Sequence, residues 1–225
     1  QGKLPEIDYL NIKCGENVAT RAASAAVLGA LAEKIENMIV ASADLSNSDK
    51  TDGFLKKTHA LTKEDFGGRF LQPGVCEFTM ACIMNGIALH GGIIPACGTF
   101  FVFSDYMKPV LRLSALMRLP VKFIWTHDSF RVGEDGPTHQ PIEHEAQLRL
   151  MEQLRNHHGE RSVVVLRPAD ARETVAAWKI AMEEQRPTAL VLSRQNIKDL
   201  PALHGNRAEE AMQAVKGAYV VMDCE

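Results

Sequence analysis

The 225-residue chain contains few cysteines, and they lack the spacing that gives cysteine a structural role. Their number is odd and no C-x-x-C pair occurs, whereas disulfide frameworks and structural zinc sites use paired cysteines. This pattern predicts reduced thiols, most of them small core residues, and favours a cytoplasmic protein. The five residues are Cys14, Cys76, Cys82, Cys97 and Cys224.

Two further absences restrict the class of partner. No apolar run approaches the ~20 residues needed to cross a bilayer, and the first residues, QGKLPEIDYLNIK, lack the apolar core of a signal peptide. The chain also lacks an excess of positive charge, since its formal net charge is −3. A basic surface is the usual electrostatic footprint of proteins that bind nucleic acids or anionic membranes. We therefore expect neither a membrane nor a nucleic acid as partner.

What the chain does have is a regular alternation of strand and helix patterns. The predicted strands are short continuous apolar runs, which is typical of a parallel sheet covered by helices on both faces. The predicted fold class is therefore α/β, a three-layer α/β/α arrangement with a mostly parallel sheet. Predicted strands cover residues 38–44, 93–101, 121–127, 162–168 and 188–194, and predicted helices cover residues 18–36, 77–92, 105–119, 142–158 and 170–185.

Two local patterns add detail to this prediction. Asp170 opens the last helical pattern and is well placed as its N-cap, because a carboxylate there accepts a hydrogen bond from the first turn. Residues 46–69 are polar and charged, which predicts a segment outside the core.

The residues that follow the predicted strands are rich in charged and aromatic side chains. In an open α/β sheet, ligands bind outside the carboxyl ends of the strands. We therefore expect a site at this edge of the sheet, which Glu77, at the start of its helix, could join. The residues leaving the strands are Asp44, Phe100, Phe103, His127 and Arg194.

One of these connections, THDSFRVGEDGPTHQP at 126–141, concentrates ionisable groups and allows three interpretations. A metal site would use His127, His139 and His144, but H-Q-P-I-E-H is not the H-E-x-x-H motif and Pro141 interrupts a helical register. The segment GEDG is not followed by the lysine of a phosphate loop. A merely solvated loop explains the acids, but not the glycines and prolines that shape the backbone. The third interpretation is a catalytic loop that carries acid–base histidines.

This loop resembles the signature loop of transketolases, and the resemblance extends in the family's order over nearly all of residues 18–197. The other matching segments are TRAAS (20–24), ADLSNS (43–48), GVCEFTM (74–80), NGIALHGG (85–92), GTFFVFSDY (98–106) and SRQN (193–196).

The resemblance implies only the central, pyrimidine-binding domain of a three-domain enzyme. The family's G-D-G…N segment, which holds Mg²⁺ (or Ca²⁺) and the diphosphate of thiamine diphosphate, has no counterpart here. It implies a linker at 1–17, the domain at 18–200 and a second linker at 201–225. The implied reaction transfers a two-carbon ketol unit from a ketose phosphate to an aldose phosphate. The implied partner is a diphosphate-binding domain or subunit in a homo-oligomer, without which the chain is expected to be inactive.

The resemblance also assigns residues to the cofactor. Glu77 matches the catalytic acid beside the cofactor's pyrimidine ring, which promotes the tautomer that removes the thiazolium proton. Phe100, Phe103 and Tyr106 match the aromatic pocket for that ring. Asp44 and Leu45 match residues near the thiazolium.

A second set is assigned to the sugar phosphates, and no metal ligand is expected in this chain. Asp135 matches an acid that recognises a donor hydroxyl. His139 matches a catalytic histidine near the reacting carbon. His144, His157 and His158 lie outside the motifs and are predicted on a helix surface. The phosphate-binding set is Arg21, Ser48, His127 and Arg194.

Three alternatives remain. A related thiamine-diphosphate synthase, such as 1-deoxyxylulose-5-phosphate synthase, would share the chemistry. A catalytically silent dimerising or regulatory module would share the fold. A metal hydrolase is the most distant alternative.

Overall fold

The computed structural model describes residues 3–223 and contains a six-stranded sheet in which all neighbouring strands pair in parallel. The strands are β1 (Met38–Ser42), β2 (Phe70–Leu71), β3 (Ile94–Phe100), β4 (Lys122–Thr126), β5 (Val164–Leu166) and β6 (Thr188–Val191). Their order across the sheet is β2-β1-β3-β4-β6-β5. The predicted α/β class and parallel sheet are confirmed.

Helices connect the strands and cover both faces of the sheet. They are α1 (Thr20–Lys34), α2 (Ser46–Asp49), α3 (Asp52–Leu55), α4 (Glu77–His90), α5 (Lys108–Met117), α6 (His144–Gln153), α7 (Ala171–Glu183) and α8 (Arg207–Ala211). Short 3-10 helices span Tyr9–Asn11, Phe101–Tyr106, Gly133–Asp135, Pro137–His139 and Met212–Lys216. Asp170 caps α7 as predicted, because its carboxylate accepts a hydrogen bond from the Glu173 N–H at 2.8 Å.

Two hydrophobic clusters form the core, one on each face of the sheet. Alternate strand residues point to opposite faces. Ile124 of β4 therefore packs beneath α1 and α7, whereas Phe123 and Trp125 pack beneath α4, α5 and α6. Both indole N–H groups have partners, since Trp178 donates to the Ser24 Oγ at 2.8 Å and Trp125 donates to a methionine sulfur at 3.5 Å.

The polar segment 46–69 contradicts its prediction, because part of it lies in the core. It forms α2 and α3, and it leads into β2, which pairs with the edge of β1. Phe54 and Asp49 are both buried. The pattern was misleading because the carboxylate of Asp49 is satisfied internally by Ser42 and Thr51, which lowers the cost of burying it.

The predicted helix 142–158 is also shorter in the structure and ends at Gln153. His144 is buried, not on the surface as predicted, and its Nε2 lies 3.1 Å from the Val102 carbonyl oxygen. Its ring meets the Phe101 ring edge-on with centroids 5.6 Å apart. His144 lies on the apolar side of an amphipathic helix, and that side is covered by the sheet. His157 and His158 are exposed, as predicted, but they lie in a turn after α6 and not on a helix.

The two ends of the predicted domain lie against each other. The Asn17 N–H donates to the Asp199 carboxylate at 3.0 Å, and the Asp199 N–H donates to the Asn17 side-chain oxygen at the same distance. Beyond this pair, α8 packs on α7, with the Arg207 Nε 2.9 Å from the Asp170 carboxylate. The limits 1–17, 18–200 and 201–225 stay predictions.

The prediction of unpaired thiols is confirmed for four cysteines, but a buried position is confirmed only for Cys14 and Cys97. Cys14, Cys76, Cys82 and Cys97 are free thiols, and Cys224 lies outside the described residues. Within residues 3–223 no helix is both long enough and apolar enough to cross a membrane.

Candidate active site at the strand ends

The predicted rim residues leave the sheet where their strands end. Phe100 ends β3, His127 follows β4 directly, and Arg194 comes three residues after the end of β6. Asp44 and His127 have left-handed backbones, with φ of 64° and 58°. A non-glycine residue in that region costs roughly 1–3 kcal/mol, and such strain is concentrated at functional sites. The turn at His127 places its ring against Phe100 and beside Arg21.

Five rings form an aromatic shelf above β3 and β4. Phe100 stacks on His127 with centroids 3.6 Å apart, and on Phe103 at 5.9 Å with nearly parallel planes. Phe103 continues the stack to Tyr106 at 6.2 Å. His139 meets Phe103 edge-on at 5.4 Å and Phe100 at 5.8 Å. Since Tyr106 is exposed while Phe100 is buried, the shelf is a core surface with one open end.

Next to the shelf lies a polar group centred on Arg21. Its guanidinium donates to the Ser48 carbonyl oxygen at 2.6 Å and lies 3.4 Å from both the Ser48 Oγ and the His127 Nε2. Ser48 is held in turn by α2, because its N–H donates to the Leu45 carbonyl oxygen at 2.8 Å. The structure therefore joins three predicted phosphate-binding residues and Leu45.

A second cation reaches the same place from β6. The Arg194 Nε lies 2.9 Å from an Asp135 carboxylate oxygen, and its other arm pairs with Glu134. The same Asp135 oxygen lies 3.9 Å from the His127 Nε2. The GEDG turn of the loop thus brings its acids to Arg194, and Asp135 lies between Arg194 and His127.

The His127 imidazole is held neutral by its surroundings. Burial lowers its pKa to about 3, and the nearby cations Arg21 and Arg194 act in the same direction. Its Nδ1 lies 2.9 Å from the Thr126 Oγ1. A hydroxyl both donates and accepts, so either neutral tautomer of the ring has a partner.

Glu77 is the first residue of α4 and is only 7% exposed. Within residues 3–223 its carboxylate has no hydrogen bond or ion pair, which is unusual for a buried acid. Met80, one turn on, is buried, but Phe78 is half-exposed, so the apolar surroundings of Glu77 are open on one side. The helix packs on β3 and on the 3-10 helix that carries Phe103.

Asp44 is exposed at the turn after β1, and Leu45 beside it is half-buried. The Leu45 N–H lies 3.3 Å from the Ser42 Oγ. No hydrogen bond or ring contact among the described residues links Asp44 or Glu77 directly to the shelf or the cationic group.

The sequence interpretation missed Asp49, a buried acid at the end of α2, the helix that carries Ser48. It accepts hydrogen bonds from the Ser42 Oγ at 2.6 Å and from the Thr51 N–H at 2.8 Å, and burial raises its pKa to about 6. A Cβ on Gly98 would lie 3.1 Å from its carboxylate and 2.6 Å from the Thr51 methyl. The close approach of β3 thus requires glycine. In the sequence, Asp49 stands among other polar residues, and nothing local indicates that its carboxylate is buried.

The three histidines of the metal interpretation do not come together. His127 and His139 are part of the aromatic shelf, whereas His144 faces the Val102 carbonyl. Asp105, Glu143 and His144 do lie within metal-ligand distance of one another. However, the Lys108 ammonium pairs with Asp105, which disfavours a second cation there.

Comparison with known proteins gives the family. The family described as "Transketolase, pyrimidine binding domain" matches residues 16–200. A transketolase from Geobacillus stearothermophilus is 47% identical over 226 residues, which cover 98% of this chain and 32% of that protein. A solved transketolase structure from Leishmania mexicana aligns with a TM-score of 0.85 at 36% identity, over 99% of this chain and 31% of the other.

A shorter neighbour is a structure described as "Split gene transketolase, inactive beta4 tetramer", with a TM-score of 0.63 and 30% identity over 83% of this chain and 55% of that one. The curated relative is thus about three times as long as this chain, which covers 32% of it. With the fold, the ordered motifs and the match over residues 16–200 in agreement, the chain belongs to the transketolase pyrimidine-binding domain family.

Proposed function

We propose that this chain supplies the pyrimidine side of a thiamine-diphosphate site in a transketolase. The reaction is transfer of a two-carbon ketol unit from a ketose phosphate to an aldose phosphate. The observation that carries the proposal is the aromatic shelf adjoining a cluster of two arginines, a serine and a neutral histidine. That arrangement suits a flat cofactor ring beside a phosphorylated sugar.

The residues fit the cofactor in two ways. The open end of the shelf, at Tyr106, offers a ring-stacking surface. Glu77 is a buried acid without a protein partner, and it can share a proton with a ring nitrogen of a pyrimidine. When bound, thiamine diphosphate supplies the carbon nucleophile and the electron sink for cleaving the bond beside the ketose carbonyl. Asp44 and Leu45, on the turn after β1, are assigned to the thiazolium side of the cofactor.

We assign phosphate recognition to Arg194 and the polar group centred on Arg21. Arg21 and Arg194 bring two guanidinium groups to one place, and guanidinium matches phosphate geometry. Ser48 adds a hydroxyl, and His127 adds a neutral ring whose Nε2 lies beside the Arg21 guanidinium. The exposed Glu134, which now pairs with Arg194, is the acid that an incoming phosphate would displace.

Two residues act nearer the reacting carbon. His139 is half-buried against the shelf, with its Nδ1 2.8 Å from the Thr138 Oγ1, so its other nitrogen is available to a substrate oxygen. It holds or moves a proton at that oxygen. Asp135 lies between Arg194 and His127, where it can accept a hydrogen bond from a sugar hydroxyl.

The diphosphate and its Mg²⁺ (or Ca²⁺) are assigned to a partner domain or subunit. Hard cations prefer carboxylate oxygens, and the rim carboxylates Glu134 and Asp135 are already paired with Arg194. We propose that the complete enzyme is a homo-oligomer in the cytoplasm. Its substrates are sugar phosphates. By itself the chain is expected to be inactive.

A catalytically silent module is the second candidate. The support for it is the split-gene neighbour, whose described form is an inactive tetramer. The same observation suits our first proposal, if such a chain gains activity from a partner that binds diphosphate.

Activity measured with and without a partner separates these candidates. The chain is assayed with thiamine diphosphate, Mg²⁺, a ketose phosphate and an aldose phosphate, alone and mixed with a diphosphate-binding transketolase chain. Native mass spectrometry on the same mixture reports association. We expect activity in the mixture alone. Association without activity would favour the silent module, and no association would remove the split-site proposal.

A further inference from the structure

A cleft of about 320 Å³ lies between α5, α6 and the loop 154–162, and we name it the α5–α6 cleft. It is lined by apolar side chains from three directions, Leu116 from α5, Met151 and Leu154 from α6 and its end, and Val163 from the start of the next strand segment. Leu116 and Leu154 are more than half exposed, although large apolar side chains usually find cover. The volume is at the lower end of the range of small-molecule sites.

The polar part of the α5–α6 cleft is cationic. Arg112 and Arg155 line it together with the polar side chains of His157 and Asn156, and none of the described lining residues is an acid. Within residues 3–223, Arg112 has no ion pair. Arg155 donates to the Gly159 carbonyl oxygen at 2.5 Å, which leaves its charge without a counter-ion.

The nearest acid on the loop is engaged elsewhere. Glu160 lies 3.3 Å from the Arg118 guanidinium and accepts a hydrogen bond from the Asn156 amide at 3.1 Å. Glu160 therefore neutralises little of the positive charge of Arg112 and Arg155. An apolar surface with two unpaired guanidinium groups at its edge is electrostatically complementary to an organic anion.

The wall of the α5–α6 cleft is held in shape by the loop's own hydrogen bonds. The Asn156 side-chain oxygen accepts from the His158 N–H at 2.9 Å and from the Glu160 N–H at 3.1 Å. The Ser162 N–H donates to the Leu154 carbonyl oxygen at 3.0 Å. Gly159 takes the left-handed φ of 76° that this tight turn requires. A preformed wall reduces the entropy lost when a ligand binds.

We propose that the α5–α6 cleft binds a small organic anion, a carboxylate, sulfonate or phosphate ester carried on an apolar body. The apolar body packs on Leu116, Met151 and Leu154, and the acid group meets Arg112 and Arg155. None of these residues belongs to the strand-end site, so the inference does not rest on the proposed transketolase function.

The test compares two dyes that share one apolar body. The anion 8-anilinonaphthalene-1-sulfonate and the uncharged N-phenyl-1-naphthylamine are titrated by fluorescence into the full chain. We expect saturable binding that is tighter for the sulfonate. The double variant Arg112→Glu/Arg155→Glu should raise the Kd of the sulfonate about tenfold or more and leave that of the uncharged dye nearly unchanged. The exposed Lys63→Glu, with the same change of charge sign, should leave both unchanged.

Methyl NMR locates the bound dye independently of these variants. The sulfonate should shift the methyl resonances of Leu116 and Leu154, assigned from Leu116→Met and Leu154→Met. Thermal unfolding verifies that each variant is folded. The proposal would be overturned if the double variant lost the binding of both dyes equally or lost the binding of neither. Methyl shifts confined to another surface would also overturn it.

Discussion

Glu77 is the residue on which the proposed chemistry depends most, because it combines burial with the absence of a partner among residues 3–223. A buried carboxylate is costly unless a hydrogen bond satisfies it. The fold gives it no internal donor, and its carboxylate oxygens still reach solvent. In the proposed site a ring nitrogen of the cofactor takes the place of water there.

Glu77→Gln should reduce kcat in the assembled enzyme by about 100-fold or more, because an amide cannot share a proton as an acid does. Its shape is kept, so the thermal midpoint should not fall. Steady-state kinetics of the mixture measures the effect, with the exposed Glu64→Gln as matched control. Full activity of Glu77→Gln would remove Glu77 from the mechanism.

Arg194→Met should raise the KM of the ketose phosphate about tenfold or more, because a hydrogen bond between charged groups contributes roughly 1.5–3 kcal/mol. The same variant should leave the KM of the corresponding unphosphorylated ketose nearly unchanged. Comparing the two substrates separates phosphate binding from a general distortion of the site. An equal rise for both would argue against the phosphate role.

His127 should remain neutral from pH 5 to 8, because its pKa is lowered to about 3. The unfolded chain, with an ordinary histidine pKa near 6.5, takes up a proton that the folded protein does not. Stability should therefore be lost as pH falls below about 6.5. Ring ¹⁵N shifts, assigned with His127→Gln, check the charge, and denaturant unfolding at pH 5 and 7 checks the slope. A ring that titrates near pH 6 would contradict this.

At the scale of elements, α7 depends on a single buried carboxylate. Asp170 accepts from the Glu173 N–H at 2.8 Å and the Leu200 N–H at 3.2 Å, and pairs with the Arg207 Nε at 2.9 Å. It therefore joins the start of α7 to α8, which lies in the predicted linker. The sequence pattern identified the cap but could not identify its distant partners.

Asp170→Ala should lower the free energy of unfolding by about 3 kcal/mol, since a buried cap and a partly buried ion pair are both lost. Asp170→Asn keeps a capping oxygen and should lose less. Urea unfolding of both variants measures the difference. If the two variants were equally unstable, the ion pair rather than the cap would dominate.

At the scale of the whole molecule, the end of the sheet opposite the site contains a buried lysine, which lowers the free energy of unfolding. Lys122, at the start of β4, is buried with its ammonium 2.8 Å from the Glu184 carbonyl oxygen. Burial lowers its pKa to about 7. Between about pH 7 and 10 the unfolded chain holds a proton that the folded chain has released, so stability should rise with pH across this window.

Lys122→Met should raise the free energy of unfolding at pH 7 by about 1–3 kcal/mol, because an apolar side chain of similar length removes the cost of a buried amine. The rise in stability between pH 7 and 10 should disappear with it. Denaturant unfolding at the two pH values measures both effects, and Lys63→Met, at an exposed lysine, is the control. A less stable variant with an unchanged pH slope would show that the ammonium is structural.

The elements and the rim were predictable because apolar periodicity and strand ends follow local rules. Five strand patterns appear as strands, and the residues after them gather at one edge. His144 and Asp49 were not predictable in this way. Each is a polar residue whose burial is decided by a segment far away in the chain, the segment at Val102 for His144 and the strand at Gly98 for Asp49.

By itself, the sequence determined the α/β class, the parallel sheet, the family and the set of candidate site residues, because these depend on local periodicity and on ordered motifs. The tertiary structure alone decided which of those residues touch. It placed His127 between Phe100 and Arg21, paired Arg194 with Asp135, and left Glu77 buried without a partner among residues 3–223. Burial and distance between remote segments set charge state and available hydrogen bonds, and neither quantity is encoded in a local pattern.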